Sequence, residues 1–396
     1  MKVYDKVVKT STNLYNKDYL MNEYNQCDVL VTYCWNRVGY NILRSLSEKG
    51  VKVWVADTSH HNICSMSKYA SGSFAYPDPF KDEPGFISCL LEWINELKPQ
   101  VLLPTHDESL IIARHRDEFP SWLRIPIADY DLLNCLSNKK QATALAAKIG
   151  VPTPRVYESA EEVVFPCVFK TVIGNSAKTV FYPSDREELN ALVKRFATDE
   201  ILIEEKCDGI DYSVDCIRYG KYCITSTYKS ILTKTKGGGT STQRETVGFP
   251  ELEKYARMLL EAADYNGVCG LDFKYDDRTG RVAFIEVNTR YTGGLATTIA
   301  AGFDIPYIHY CLSTKGQYSR PVRIRIGTKT KWVLGDLITL VSRLLSFSIS
   351  SEELKQVLCF KGFSAFDDFR KDDKKAFIGE LYYYLNKLLK NRKLNP

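Results

Sequence analysis

The sequence lacks several patterns that would assign a function at once. Its twelve cysteines are scattered and form no C-x-x-C pair, which argues against a zinc site or a thioredoxin-type redox motif. The longest apolar stretch, residues 332–349, contains Asp336 and Arg343, so it predicts an amphipathic helix rather than a membrane span. The net charge is only +5 over 396 residues. Without a basic stripe, this charge argues against nucleic-acid binding.

The first 26 residues are polar and have no apolar core followed by a small-residue cleavage site, unlike a secretory signal. We therefore expect an extension of unassigned role, reduced cysteines and a cytoplasmic protein. Hydrophobic residues make up 44% of the chain and charged residues 26%, values typical of globular proteins. The length predicts two or three domains.

The first apolar runs predict a β-α-β unit with strands near residues 28–33 and 51–57. Its turn offers only Gly39 and not G-x-G-x-x-G, which argues against a dinucleotide site. A further strand at 101–103 is followed by Asp107 and Glu108. These two acids are interpreted either as partners of a substrate ammonium or as the acidic first turn of a helix.

Two lysines occupy notable positions in the middle of the chain. Lys139 opens a predicted helix with Ser137 as its candidate N-cap. Lys170 lies inside an apolar strand, where a lysine is costly unless it is paired or binds an anion. The small-residue loop at 174–178 either cradles phosphates through its N–H groups or is an ordinary hairpin loop.

The basic, glycine-rich segment 234–242 is flanked by Lys229 and Arg244. It is interpreted as a flexible segment, either a lid over an anionic substrate or a disordered surface loop.

The stretch Phe284–Arg290 places a carboxylate, an amide and a guanidinium at alternate positions. In a strand, Glu286 and Asn288 share one face. If Tyr275 pairs with Arg281 in the preceding hairpin, Asp272 lies opposite Phe284 and diagonal to Glu286. Such acids would hold a divalent cation or, alternatively, would simply meet water.

The order of these motifs along residues 28–312 resembles the ATP-grasp superfamily. The similarity is strongest to carboxylate–amine ligases related to the carbamoyl-phosphate synthetase large chain and to D-aspartate ligase-like proteins. The resemblance implies a mixed α/β ATP-grasp fold. Its expected parts are an N-terminal extension (1–26), a Rossmann-like pre-ATP-grasp domain (27–125), a linker helix with the N-terminal lobe (126–205), a C-terminal lobe with the metal site (206–315) and a helical C-terminal region (316–396).

The resemblance also implies roles for individual residues. The expected nucleotide-binding residues are Lys139, Lys170, Ser176, Lys178, Glu204, Glu205, Lys206, Cys207 and Asp211. Mg²⁺, with Mn²⁺ as an alternative ion, would be held by Asp272, Glu286 and Asn288. Arg290 and Lys170 would be catalytic. Substrate contacts are expected from Asp107, Glu108, Lys229, Arg290 and Gly293.

The activity that the resemblance implies is ATP-dependent amide formation through an acyl phosphate, from a small-molecule carboxylate and an amine. Two alternatives stay open, a kinase that phosphorylates a small molecule and a non-catalytic ATP-binding module. Neither a membrane nor a nucleic acid is expected as a partner, and a homodimer is left open.

Overall fold

The structure is a computed structural model that describes residues 26–172, 179–235 and 238–391. It divides into two compact units. The first takes in the described residues of 1–126 and 370–396, and the second is Ile127–Phe369. The expected extension therefore lies almost wholly outside the described residues. The finer division of the chain into five parts stays a prediction.

A parallel sheet forms the centre of the first unit. Its strands are β1 (Val29–Val31), β2 (Val53–Asp57), β3 (Gly72–Ala75) and β4 (Val101–Leu103), and the helices of this region are α1 (Arg37–Ser47), α2 (Glu83–Leu97) and α3 (Glu108–Arg114). The strand order is β3-β2-β1-β4. Every residue of β1 and β4 is buried, which confirms that these apolar runs are buried parallel strands.

The second unit contains a small sheet with the strand order β6-β5-β7. Its strands are β5 (Cys167–Thr171), β6 (Val180–Phe181) and β7 (Ile201–Glu205). Phe169 and Leu189 are fully buried in the cluster beneath it. Since alternate residues of a strand face opposite sides, Phe169 and Lys170 of β5 point to different faces.

The second unit also contains a large sheet, in the order β12-β11-β8-β9-β10-β13-β14 among the described residues. Its strands are β8 (Ile210–Tyr219), β9 (Tyr222–Thr235), β10 (Gly238–Val247), β11 (Gly267–Asp276), β12 (Arg281–Asn288), β13 (Lys329–Lys331) and β14 (Ala365–Phe366). The helices of this unit are α4 (Tyr130–Ser137), α5 (Lys139–Lys148), α6 (Arg186–Arg195), α7 (Pro250–Ala262), α8 (Leu295–Ala301), α9 (Ile305–Lys315), α10 (Val333–Leu345) and α11 (Ser351–Leu358). Within the described ranges, no helix combines the length and the apolar character needed to cross a membrane.

Two local predictions were wrong. Ser137 is the last residue of α4, and Asn138 caps α5 instead, because its extended backbone lets its side chain accept the Gln141 N–H. The segment expected to be flexible, 234–242, belongs mostly to the paired strands β9 and β10. Lys236 and Gly237 lie outside the described residues.

The chain returns to the first unit through its last helix, α12 (Lys374–Asn391). The Tyr383 ring stacks on Trp35, with ring centroids 5.0 Å apart. Just before the helix, the buried Asp373 carboxylate accepts hydrogen bonds from the Tyr40 and Ser67 hydroxyls and from the Lys68 N–H. Asp373 therefore ties the C-terminal residues to the sheet domain.

We predict that Asp373→Ala lowers the free energy of unfolding of the first unit by about 2 to 4 kcal/mol, because three donors lose a buried charged acceptor. Urea unfolding followed by tryptophan fluorescence measures this, since four of the five tryptophans lie in the first unit. The exposed neighbour Asp372 provides the control, and Asp372→Ala should have a much smaller effect. Equal losses in the two variants would contradict the role of Asp373.

Candidate active site

Two carboxylates face each other on the large sheet. In the pairing of β11 with β12, Asp272 lies directly opposite Glu286, and Gly270 lies opposite Asn288. The register expected from the sequence was wrong, because Tyr275 pairs with Val282 and Asp276 with Arg281. An irregularity after Asp272 then shifts the pairing by one residue. The result brings the two acids closer together than the predicted diagonal arrangement.

Asp272 is held by two neighbouring donors. The Ser213 hydroxyl donates to Oδ1, and the Asn288 amide donates to Oδ2 over 2.9 Å. Burial, followed by the nearby Glu286 charge, raises the pKa of Asp272 to about 7. A buried carboxyl group beside a second acid is costly to ionise, and a cation bound between the two acids would reduce that cost.

The donor set fits Mg²⁺. Among the described residues, no group of three or more His, Cys, Asp and Glu side chains could hold a metal by itself. Asp272 and Glu286 instead offer two carboxylates beside the amide of Asn288. Mg²⁺ is usually bound by one or two carboxylates together with substrate phosphates, so this set suits an ion that arrives with a nucleotide.

Lys139 approaches these acids from the first turn of α5. Its side chain is largely buried, and Nζ lies 3.7 Å from Glu286 Oε2. The Lys139 N–H also donates to the Val172 carbonyl at the end of β5. These contacts hold the ammonium group near the acidic pair.

Lys170 is buried in the middle of β5, as the cost argument from the sequence required. Its Nζ lies 2.6 Å from Oε1 of Glu204 on the neighbouring strand β7. Burial raises the pKa of Glu204, and Lys170 opposes that shift. Glu204 Oε2 is buried and has no hydrogen-bond partner in the described part of the chain. Glu204 therefore neutralises the buried charge of Lys170 through one oxygen, while its other oxygen accepts no hydrogen bond from the described residues.

A cavity of about 290 Å³ opens where β7 passes into β8. Its lining includes Lys206, Cys207 and Asp211, which were expected to contact a nucleotide. Asp211 pairs with Lys274 over 2.7 Å. The Glu205 N–H already donates to the Arg155 carbonyl, so a backbone contact from Glu205 to an adenine edge would use its carbonyl.

The segment that carries Arg290 rests on a buried network that the sequence did not reveal. Thr292 and Thr298 donate their hydroxyls to the two oxygens of Asp215, over 2.7 and 2.5 Å. The Tyr228 hydroxyl hydrogen-bonds to the Thr292 hydroxyl. Burial raises the pKa of Asp215 to about 6. Position 270, opposite Asp215, accepts only glycine, since a Cβ added to Gly270 would lie 2.0 Å from Thr292 Cγ2.

The remaining expected residues have varied surroundings. In the first unit, Glu108 is fully buried and accepts hydrogen bonds from the Thr32 hydroxyl and the Thr105 N–H. Burial raises the pKa of Glu108 to about 7, and its neighbour Asp107 is partly buried. In the second unit, Lys229 pairs with Glu245.

Gly293 was expected to contact the substrate, and Ser176 and Lys178 were expected to contact the nucleotide. Gly293 follows Arg290 in the same loop and is partly buried. Ser176 and Lys178, expected in the phosphate loop, lie outside the described residues.

Comparison with known proteins identifies the architecture. Residues 197–335 match the family model described as ATP-grasp in the biosynthetic pathway with Ter operon. The chain has the ATP-grasp fold. Structural similarity extends the ATP-grasp fold beyond the matched residues. The chain superimposes on a biotin carboxylase from Campylobacter jejuni with a TM-score of 0.63 and 14% identity, covering 78% of this chain and 75% of that one.

An L-amino acid ligase from Bacillus licheniformis gives a TM-score of 0.60 at 16% identity, covering 76% of this chain and 78% of that one. A D-alanine–D-alanine ligase of Fusobacterium nucleatum subsp. nucleatum is 24% identical over 163 residues, 38% of this chain and 55% of the relative.

A 5-formaminoimidazole-4-carboxamide-1-(beta)-D-ribofuranosyl 5'-monophosphate synthetase of Pyrobaculum aerophilum is 32% identical over 80 residues. That match covers 20% of this chain and 23% of the relative. The chain thus matches between about a quarter and about half of the length of these two curated relatives. The resemblance to ATP-grasp proteins of the carboxylate–amine ligase type is confirmed, and so is the mixed α/β fold.

We predict that Lys170→Met destabilises the protein by about 3 to 5 kcal/mol, because it leaves Glu204 buried without its cation. The double variant Lys170→Met/Glu204→Leu should recover most of that loss, since an apolar pair replaces the ion pair. Urea unfolding of the two single variants, the double variant and the wild type measures the cycle.

The same variants separate stability from ligand binding. If Lys170 contacts nucleotide phosphates, the double variant should bind ATP at least ~10-fold more weakly than both the wild type and the single variant Glu204→Leu, which keeps Lys170. Wild-type affinity in the double variant would limit Lys170 to a structural role.

Proposed function

We propose that this chain is an ATP-dependent carboxylate–amine ligase. The observation that carries the proposal is the set formed by Asp272, Glu286 and Asn288 beside Lys139, in a chain with the ATP-grasp fold. A site that only bound a nucleotide would have little need to hold two carboxylates against their mutual repulsion. Oxygen ligands of this kind suit the metal ion that accompanies a transferring phosphate.

The proposed reaction has two halves. A carboxylate oxygen of the substrate attacks the γ-phosphorus of ATP, the bond to the β–γ bridging oxygen breaks, and an acyl phosphate and ADP form. An amine then attacks the acyl carbon, phosphate leaves, and the nitrogen loses a proton as the amide forms. Activation is needed because a carboxylate is a poor electrophile.

Each residue has a role that follows from charge. Phosphoryl transfer depends mainly on positioning and on neutralising charge. Lys139 and Lys170 supply positive charge for the phosphates of ATP. Arg290 lies in the loop that the Thr292–Asp215 hydrogen bond holds in place. It is suited to stabilise the transferring phosphoryl group. Bound Mg²⁺, held by Asp272, Glu286 and Asn288, would neutralise the phosphate oxygens.

The nucleotide base and ribose have a candidate location in the cavity beside Cys207 and Asp211. A carboxylate such as Asp211 is suited to accept hydrogen bonds from ribose hydroxyls. The acid and amine substrates are proposed to be small molecules.

Phosphate release from ATP, measured against a matrix of carboxylates and amines, identifies the substrate pair. Once a pair is found, the carboxylate is labelled with ¹⁸O. The ligase mechanism predicts that one ¹⁸O atom from the carboxylate appears in the released phosphate, because that oxygen bridges carbon and phosphorus in the acyl phosphate. Mass spectrometry of the phosphate measures the label.

The same experiment tests the alternatives. A stable phosphorylated product that forms without an amine would favour a kinase. ATP binding without turnover across the matrix would favour a binding module. Release of unlabelled phosphate together with an amide would contradict the acyl-phosphate route. As a control, Arg290→Ala should abolish turnover while the protein stays folded.

A further inference from the structure

Helix α10 is apolar on two sides. Its inner side buries Leu334 and Ile338. Its outer side exposes four large apolar residues, and Phe347 follows just beyond the helix end. Their exposed fractions are 45% for Leu337, 47% for Val341, 50% for Leu344, 74% for Leu345 and 96% for Phe347.

The spacing i, i+4, i+7 and i+8 places the four helical residues on one face. We call these five residues the α10 face. A contiguous exposed apolar patch of this kind commonly marks a contact surface, so a second partner surface is expected for this helix.

The α10 face carries no exposed charge. Between Leu337 and Ile349 the sequence has a single charged residue, Arg343. That residue is 6% exposed, forms an ion pair with Glu353 and donates a hydrogen bond to the Thr233 carbonyl. The other polar residues of this stretch are serines and one threonine. A copy of the same face could therefore pack against it without repulsion between like charges.

The area of the face fits a symmetric pair. At these exposures the five side chains present roughly 600 Å² of apolar surface, the upper end of what monomers usually expose. Two such faces in contact would bury about 1,200 Å², which reaches the lower end of the range for stable interfaces. Leu358 and Phe360, at the end of the following helix α11 and just beyond it, are also more than half exposed. They are further exposed apolar residues in the part of the chain that follows α10.

We propose that the α10 face is the contact surface of a homodimer, in which α10 of one copy packs against α10 of the other across a twofold axis. In such an interface the same patch serves both copies, so it has to complement itself. The inference does not depend on the ligase activity, because the residues involved are not among those of the candidate active site.

The test compares the mass in solution of the full chain with that of a variant. Sedimentation equilibrium between ~1 and 100 µM should give the wild type a mass of twice 45.2 kDa at the upper concentrations. Leu345→Glu/Phe347→Glu should be monomeric throughout, with dimerisation weakened at least ~30-fold, because each copy would bring buried charges of one sign to the interface. The wild-type and variant melting curves should agree apart from any stabilisation by dimerisation.

Val164→Glu is the matched control, since Val164 is 62% exposed and lies elsewhere in the second unit. It should keep the wild-type mass. A wild type that is monomeric at 100 µM would overturn the proposal and indicate another occupant, such as a different protein or the N-terminal segment of this chain. A double variant that still dimerises would overturn it equally.

Discussion

The repulsion between Asp272 and Glu286 is the constraint on which the rest of the site depends. Residues directly opposite each other on neighbouring strands have Cβ atoms about 5 Å apart, and two charges at that distance repel by ~3 kcal/mol at an effective dielectric of about 20. The backbone cannot carry the two acids apart, because β11 is paired with β8 on one side and β12 on the other. Ser213, Asn288 and Lys139 offset part of the cost, and a divalent cation would turn the repulsion into attraction.

The lysines of the candidate site come from elements that are distant in sequence from these acids. Lys139 lies at the start of a helix, and Lys170 lies inside a strand of the small sheet. Lys170 is balanced in the fold by Glu204, so one residue contributes to stability and is also suited to bind phosphates. Asp215 works in a comparable way, since its buried carboxylate fixes the loop that presents Arg290. The site thus combines acids and bases that the fold holds in place before any ligand binds.

Much of this could be predicted from the sequence, and the failures have physical causes. Period-two alternation put Glu286 and Asn288 on one face, and the cost of burying Lys170 predicted a partner or an anion. The register of Asp272 was missed for two reasons: the hairpin turn pairs Tyr275 with Val282 rather than Arg281, and the irregularity after Asp272 adds a second one-residue shift that leaves no trace in an alternating pattern. Asp215 was missed because its partners, Thr292 and Thr298, follow it by more than 70 residues. The place of α12 in the first unit was missed as well, because its contact with Trp35 joins residues more than 300 positions apart in the sequence.

The most direct test of this account is calorimetric binding of a non-hydrolysable ATP analogue with and without Mg²⁺. For the wild type, we predict that Mg²⁺ tightens binding at least ~10-fold. For Asp272→Asn/Glu286→Gln, we predict that this dependence disappears while metal-free binding persists, because two negative charges near the phosphates are removed. Asp277→Asn, in the exposed loop of the same hairpin, should behave like the wild type. An unchanged Mg²⁺ dependence in the double variant would contradict the metal site.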